Sequence, residues 1–194
     1  MEKRTAKTHR ETKETDIALE LNLDGIGRYE IDTSVGFLDH MLTHLSKHSG
    51  IDLTVRATGD LEVDAHHTVE DIAICLGQCL DKALGDKKGI ARYGHSSVPM
   101  EDALANVALD LSGRPCCVYN VNYATEKIGD FDVECIEELL RSFTNSGKLN
   151  LHVNVPYGTN SHHIAEAIFK ALGQALAAAV RIVGTEVPST KGVL

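Results

Sequence analysis

Apolar residues occupy every second position in two similar stretches of the chain, each of which is followed by glycine. The alternating residues are Ile17, Leu19, Leu21 and Leu23 in the first stretch and Val107, Leu109 and Leu111 in the second. This period is typical of a strand with one buried face. The glycines that follow predict a turn into a further extended stretch, over 29–31 in one case and 117–123 in the other.

A helix, a strand and a longer helix are predicted after each of these pairs. The first helices cover 37–47 and 132–143, and the strands cover 51–57 and 149–155. Each closing helix begins at a His-His pair and carries an apolar stripe at helical spacing. The stripes are Val69, Ile72, Ala73, Leu76, Leu80 and Leu84 in one helix and Ile164, Ile168, Phe169, Leu172 and Leu176 in the other.

The order of elements repeats because the sequence itself repeats. His66-His67-Thr68-Val69-Glu70 recurs 96 positions later as His162-His163-Ile164-Ala165-Glu166, and Leu76-Gly77-Gln78 recurs at the same offset. The strand 51–55 matches 149–153 at an offset of 98, and 19–25 matches 107–113 at 88. Internal repeats indicate duplicated structural units. We therefore predict an α+β fold of two pseudo-symmetric halves, residues 1–90 and 91–194, packed as one body, each a sheet with helices on one face.

Composition and charge argue against several classes of protein. The 194 residues include 19 basic and 28 acidic side chains, for a net charge of −9, which argues against a nucleic-acid-binding surface. No apolar run reaches the roughly 18–20 residues that span a bilayer. The stretch from Met1 to Asp16 has no apolar core, so we expect no signal peptide. Five cysteines without a CxxC spacing are typical of reduced thiols in the cytoplasm, and Cys75 and Cys79 are expected in the core.

Ten histidines point to metal or acid–base chemistry. In each His-His-x-x-Glu motif the carboxylate lies three and four residues after the imidazoles, and thus on the same helix surface. The two neighbouring imidazoles point about 100° apart, which suits two metal ions better than one. A capped and solvated helix start is the alternative for either motif alone, but the repetition favours a site. Imidazole and carboxylate together suit Mn, Fe, Ni or Zn.

The repeat also pairs residues on the two shorter helices. An offset of 98 puts His40 opposite Glu138, so each half offers four groups. The proposed ligand set is His40, His66, His67, Glu70, Glu138, His162, His163 and Glu166. His44 follows His40 by one helical turn, and we expect it on an exposed polar stripe. Taken singly, the cationic residues Arg92, Arg114, Lys170 and Lys191 are typical of surface charges.

Several longer motifs resemble one known family. They are Gly36-Phe-Leu-Asp-His-Met-Leu42, His48, Gly59-Asp-Leu61, His66-His-Thr-Val-Glu-Asp71, Leu109-Asp-Leu-Ser-Gly-Arg-Pro115, Ser161-His-His163, Phe169-Lys-Ala171 and Pro188-Ser-Thr-Lys-Gly-Val-Leu194. In this order, from about Arg4 to the C-terminus, they closely resemble the imidazoleglycerol-phosphate dehydratases of histidine biosynthesis.

The resemblance implies an activity, a cofactor and an assembly. It implies a hydro-lyase that removes water from D-erythro-imidazole-glycerol phosphate, a small phosphorylated imidazole substrate, to give imidazole-acetol phosphate. It implies two Mn(II) ions per active site and two halves of the ribosomal-protein-S5-domain-2-like type. It also implies a homo-oligomer of 24 subunits with octahedral symmetry.

The resemblance also assigns residues. The family's metal ligands fall on the eight positions proposed above, with Glu138 at a position where some members have His. Glu14 matches a substrate-contacting glutamate and is our candidate for the catalytic proton shuttle, with Glu166 as second choice. Substrate and phosphate contacts fall on Glu14, His40, His48, Arg92, Arg114, Lys170, Ser189 and Lys191.

Two other functions are compatible with a paired His/Glu site. A di-metal hydrolase would use a bridging hydroxide to attack a phosphate or an amide. A protein of metal storage or metal-dependent assembly would need neither Glu14 nor converging cationic groups.

Overall fold

The computed structural model describes residues 3–194 and contains two four-stranded sheets of the same topology. The first sheet has the strand order β1-β2-β4-β3, in which β3 and β4 are parallel and the other pairs antiparallel. Its elements are β1 (Thr5–Glu11), β2 (Thr15–Asn22), β3 (Tyr29–Asp32), α1 (Gly36–Ser49), β4 (Asp52–Gly59) and α2 (His66–Leu84). The parallel pair exists because α1 carries the chain back to the starting edge of the sheet.

The second sheet repeats this plan, with the order β5-β6-β10-β7 and β7 parallel to β10. A two-stranded hairpin, β8 with β9, is inserted before its first helix. The elements are β5 (Tyr93–Met100), β6 (Ala103–Asp110), β7 (Cys116–Asn120), β8 (Lys127–Ile128), β9 (Phe131–Asp132), α3 (Glu134–Gly147), β10 (Asn150–Tyr157) and α4 (Ser161–Val180). The duplicated α+β fold is thereby confirmed. The division of the chain at residue 90 stays a prediction.

The core lies between the two sheets, where the helices of one half pack on those of the other. Helix α1 lies against α4, and α2 lies against α3. Ile17, Leu19 and Leu21 of β2 are buried at alternate positions, as the sequence pattern predicts. Gly77 and Gly173, which are equivalent in the repeat, lie where the helices approach most closely, since a side chain there would meet the backbone of the facing helix. The repeated glycine therefore sets the packing distance in both pairs.

Helix α4 is apolar enough in length and composition to cross a membrane, but 72% of its apolar window is buried inside the protein. It is the central core helix of the second half. Cys75 and Cys79 are buried as expected, and burial raises the pKa of each thiol to about 11.

Several elements differ from the sequence pattern, among them the β8–β9 hairpin, which was not predicted. The stretch predicted over 117–123 is shorter, because β7 ends at Asn120 and the chain turns toward the β8–β9 hairpin. Strands β1 and β5 were not predicted. Each is an outer strand whose partner β2 or β6 supplies most of the buried apolar residues, so its own alternation is weak.

Candidate metal centre

One compact group of metal-ligating side chains forms where α1 and α4 begin. His40 lies in the first turns of α1, and His162 and Glu166 lie in the first turns of α4. The Nε2 atoms of His40 and His162 are 3.4 and 3.2 Å from Glu166 Oε2. One donor atom from each residue lies within 4.8 Å of the others. The α4 start is fixed by Asn160, whose side chain accepts the backbone N–H groups of both histidines of the pair.

Glu166 is buried and held as an anion. Lys170, one turn further along α4, lies 2.6 Å from Oε1, and His44 Nε2 lies 3.4 Å from the same oxygen. Burial raises the pKa of Glu166, but the Lys170 hydrogen bond and the charges nearby outweigh burial and lower the pKa to about 2. An ionised carboxylate beside two imidazoles forms a nitrogen–oxygen donor set of the kind that transition metals accept.

The expectation that His44 lies on an exposed stripe was wrong. Its side chain is only 18% exposed, because this face of α1 is turned toward α4. Its Nε2 lies 3.3 Å from His40 Nε2, and its ring stacks on that of His48 at 5.8 Å between centroids. Burial is the main cause that lowers the pKa of His44 to about 4. His44 is thus a neutral imidazole that lies against the compact group.

The equivalent residues of α2 and α3 do not form a second compact group. Glu138 accepts a hydrogen bond from Ser142 on its own helix at 2.8 Å. Within residues 3–194, His40, His162 and Glu166 are the set close enough to hold an ion together. The ligand roles of His66, Glu70 and Glu138 remain predictions.

The second histidine of each pair has a different partner. The rings of His66 and His67 are nearly perpendicular, with centroids 6.2 Å apart. His67 Nδ1 lies 2.9 Å from Asp60 Oδ2, and His163 Nδ1 lies 2.5 Å from Asp102 Oδ1. This agrees with the helical geometry, in which neighbouring side chains point in different directions.

Glu14 lies in the β1–β2 turn, beside the start of α2. Its carboxylate is 54% exposed, and Oε2 is 3.9 Å from His67 Nδ1. Its backbone carbonyl accepts the N–H of Asp60. The structure therefore brings the candidate proton shuttle close to one predicted ligand and leaves it accessible.

Four of the predicted substrate-contacting residues lie far from the compact group of His40, His162 and Glu166. The Arg92 backbone N–H donates to Ala179 near the end of α4, which is 13 residues or about 20 Å along the helix from Glu166. The Arg92 guanidinium pairs with Asp110 and donates to the Pro188 carbonyl. Arg114, Ser189 and Lys191 lie with it, since the C-terminal tail folds back onto the turn at Gly113. Lys170 and His48 are near the compact group, but these four residues are not.

An open cleft of about 780 Å³ lies beside the compact group. His40 and Phe37 border it on the α1 side, and Asp64 and Ala65, just before His66, border it on the α2 side. The β8–β9 hairpin forms a third wall. The cleft is large enough for a small phosphorylated ligand and connects the starts of α1 and α2.

Asp60, Asp102 and His44 were not predicted as site residues. Asp102 could have been found from the sequence, because the offset of 88 that aligns β2 with β6 places it opposite Glu14. Asp60 has no acidic counterpart in the second half, and the orientation of His44 depends on how the helices pack.

The fold and the His/Glu group define an α+β protein with a candidate metal centre, and comparison with known proteins identifies its family. Residues 33–176 match the family model of imidazoleglycerol-phosphate dehydratase. The protein of that name from Desulforudis audaxviator is 55% identical over 98% of both chains, and that from Exiguobacterium is 56% identical over 97% of both.

Solved structures give the same result. Imidazoleglycerol-phosphate dehydratase from Staphylococcus aureus superposes with a TM-score of 0.85 at 38% identity, over 92% of this chain and 99% of that one. The Pyrococcus furiosus enzyme, solved in complex with (S)-C348, gives the same score and identity over 96% and 100%. The chain belongs to the imidazoleglycerol-phosphate dehydratase family, whose members are hydro-lyases (EC 4.2.1.19) of histidine biosynthesis.

Proposed function

We propose that the protein removes water from D-erythro-imidazole-glycerol phosphate to give imidazole-acetol phosphate in the cytoplasm, with two Mn(II) ions per active site. The observation that carries this proposal is the compact His40–His162–Glu166 group in a chain of this family. It offers two imidazoles and an ionised carboxylate, which fit a divalent transition metal ion. The second ion would be held by His66, Glu70 and Glu138. His67 and His163 would complete the ligand sets of the two ions.

A bound metal ion supplies Lewis acidity that makes the substrate imidazole easier to deprotonate and so helps to expel the hydroxyl on the adjacent carbon. The protein must then remove the proton from the next carbon. Glu14 is the carboxylate for this step, because it is exposed, near His67 and outside the ligand set. A ring nitrogen takes back the proton that it gave up, so the net loss of hydroxide and the carbon-bound proton equals one water, and the resulting enol becomes the ketone. Glu166, held by Lys170, is better placed as a ligand than as a base.

Phosphate binding requires a second chain in this scheme. Arg92, Arg114, Ser189 and Lys191 would fix the substrate phosphate by charge-assisted hydrogen bonds. Their position about 20 Å from Glu166 exceeds the length of a small substrate. We therefore propose that metal ligands of one subunit and phosphate contacts of another form each site in a homo-oligomer of 24 subunits with octahedral symmetry.

The activity is tested with the purified protein and imidazole-glycerol phosphate. We expect formation of the ketone after metal loading and none after chelation, with Mn(II) restoring turnover. Release of inorganic phosphate without the ketone would favour the di-metal hydrolase instead. Metal binding without any turnover would favour a storage or assembly protein.

The shared site is tested by coexpressing two inactive variants. His162→Ala removes a metal ligand, and Arg92→Ala removes a phosphate contact at the other end of α4. Random mixing of subunits should restore about a quarter of the wild-type activity, because one site in four then has both groups intact. Mixed assemblies that stay inactive would contradict the sharing of sites.

A further inference from the structure

We propose that Asp102 and Asp60 are positioning residues that keep the proton of His163 and of His67 on Nδ1, so that each ring presents Nε2 to a metal ion. The inference rests on the ligand roles proposed above for the two histidines. An imidazole binds a metal only through a nitrogen that carries no proton, and the hydrogen bond on the other nitrogen decides which one that is.

The two oxygens of Asp102 have separate partners. Oδ2 accepts from the Thr159 backbone N–H at 2.6 Å, from the Thr159 hydroxyl at 2.7 Å and from the Asn160 N–H at 2.9 Å. Oδ1 is left for His163 Nδ1. An ionised carboxylate is only an acceptor, so the hydrogen between it and the ring belongs to Nδ1.

Asp60 makes the equivalent contact in the first half. Its Oδ2 meets His67 Nδ1 at 2.9 Å, while Oδ1 is buried without a hydrogen-bond partner. The Asp60 N–H donates to the Glu14 carbonyl, which fixes the loop before α2. The contact of Oδ2 with the ring is thus the hydrogen bond that the structure shows for the Asp60 side chain.

The two carboxylates come from different loops. Asp60 lies in the segment 60–65 between β4 and α2, whereas the matching segment before α4 is only 158–160. In the second half the β5–β6 turn supplies the carboxylate instead, and Asp102 occupies the position that matches Glu14. The four donors named above occupy both carboxylate oxygens of Asp102, so this side chain is unavailable for proton transfer. The duplicated position thus serves as a proton shuttle in one half and as a positioning group in the other.

Asp102→Asn tests this directly. The asparagine carbonyl would take the three donors at Thr159 and Asn160, and its NH₂ group would then face His163 Nδ1. We expect the His163 proton to move to Nε2, measured by ¹⁵N NMR of histidine-labelled, metal-free protein at pH 8.5. We expect Mn(II) affinity, measured from free Mn(II) by electron paramagnetic resonance, to fall by about 10- to 100-fold. Asp60→Asn should act in the same way on His67.

Thr159→Val is the matched control. It removes one hydrogen bond to Asp102 Oδ2 and leaves the His163 contact intact, so Mn(II) affinity should stay within about twofold of wild type. Nε2–H tautomers of His163 and His67 in the metal-free wild type would overturn the proposal. So would an equal loss of affinity in Asp102→Asn and Thr159→Val, since anchoring of the loop would then explain it.

The tautomer measurement needs neither metal nor substrate. A wild-type protein with Nδ1–H rings but no dehydratase activity would therefore contradict the proposed function and leave the positioning role supported.

Discussion

The two helix pairs carry candidate ligands at matching positions, with Glu138 in place of His40, yet they differ in how closely these side chains are brought together. At the start of α1 and α4, His40, His162 and Glu166 are already together, and Lys170 and His44 hold the carboxylate. At the start of α2 and α3, Glu138 is hydrogen-bonded to Ser142 on its own helix. Ser142 occupies the position that matches His44, and Ile74 the position that matches Lys170. The comparison indicates that the groups around a ligand, and not the ligand pattern alone, preorganise a metal site.

The largest effect should follow removal of the preorganised carboxylate. Glu166→Ala leaves Lys170 without its anion and the metal without a ligand, so we expect dehydratase activity to fall by more than about 100-fold. Mn(II) titration of the wild type should resolve a tighter and a weaker ion, and this variant should lose the tighter one. Glu70→Ala, the matched change in α2, should lose the weaker ion. Loss of the weaker ion in Glu166→Ala and of the tighter ion in Glu70→Ala would contradict the comparison.

Glu14→Gln should reduce kcat by about 10²- to 10⁴-fold, the usual contribution of a general acid–base group. Both Mn(II) ions should still bind, because Glu14 lies outside the ligand set. Steady-state kinetics together with metal analysis check this. Full activity with metal bound would exclude Glu14 as the proton shuttle.

Replacing the glycines at the two helix crossings should lower the stability of the protein by different amounts. A Cβ on Gly77 would lie 2.6 Å from the Gly147 nitrogen and the Phe143 carbonyl oxygen, whereas on Gly173 its nearest contacts are at 3.0 Å. Overpacking costs about 1–3 kcal/mol, and helix propensity returns up to about 1 kcal/mol on replacing glycine by alanine. We expect Gly77→Ala to lower the free energy of unfolding by about 2 kcal/mol. Gly173→Ala should have the smaller effect in denaturant titrations, and the reverse order would contradict the packing difference.

The last prediction concerns a pH dependence of stability at His44. Since burial lowers its pKa to about 4, the unfolded chain takes up a proton near pH 6.5 that the folded chain does not take up until about pH 4. The metal-free protein should therefore lose stability as the pH falls through this window. His44→Gln should flatten the dependence, measured by urea unfolding. Ser142→Ala, at the matching position, should leave it unchanged.

The sequence predicted the repeat, the strand–helix order and the starts of α2 and α4, because alternation and the His-His motif are local signals. It missed β1 and β5, whose apolar faces are weak, and the β8–β9 hairpin, which lies in a region without periodicity. It proposed His40, His162 and Glu166 as ligands, and the structure brings these three side chains together. It could not show that Arg92 lies at the far end of α4, since that distance depends on how β5 and the tail pack.

The central claim is that the compact His/Glu group holds a metal ion on which dehydration depends. The most direct measurement titrates Mn(II) into metal-free protein and follows the ketone formed from imidazole-glycerol phosphate. We expect no turnover without metal and a rise that levels off at two ions per chain. Full activity of the metal-free protein, or metal binding at this stoichiometry without any ketone, would contradict the claim.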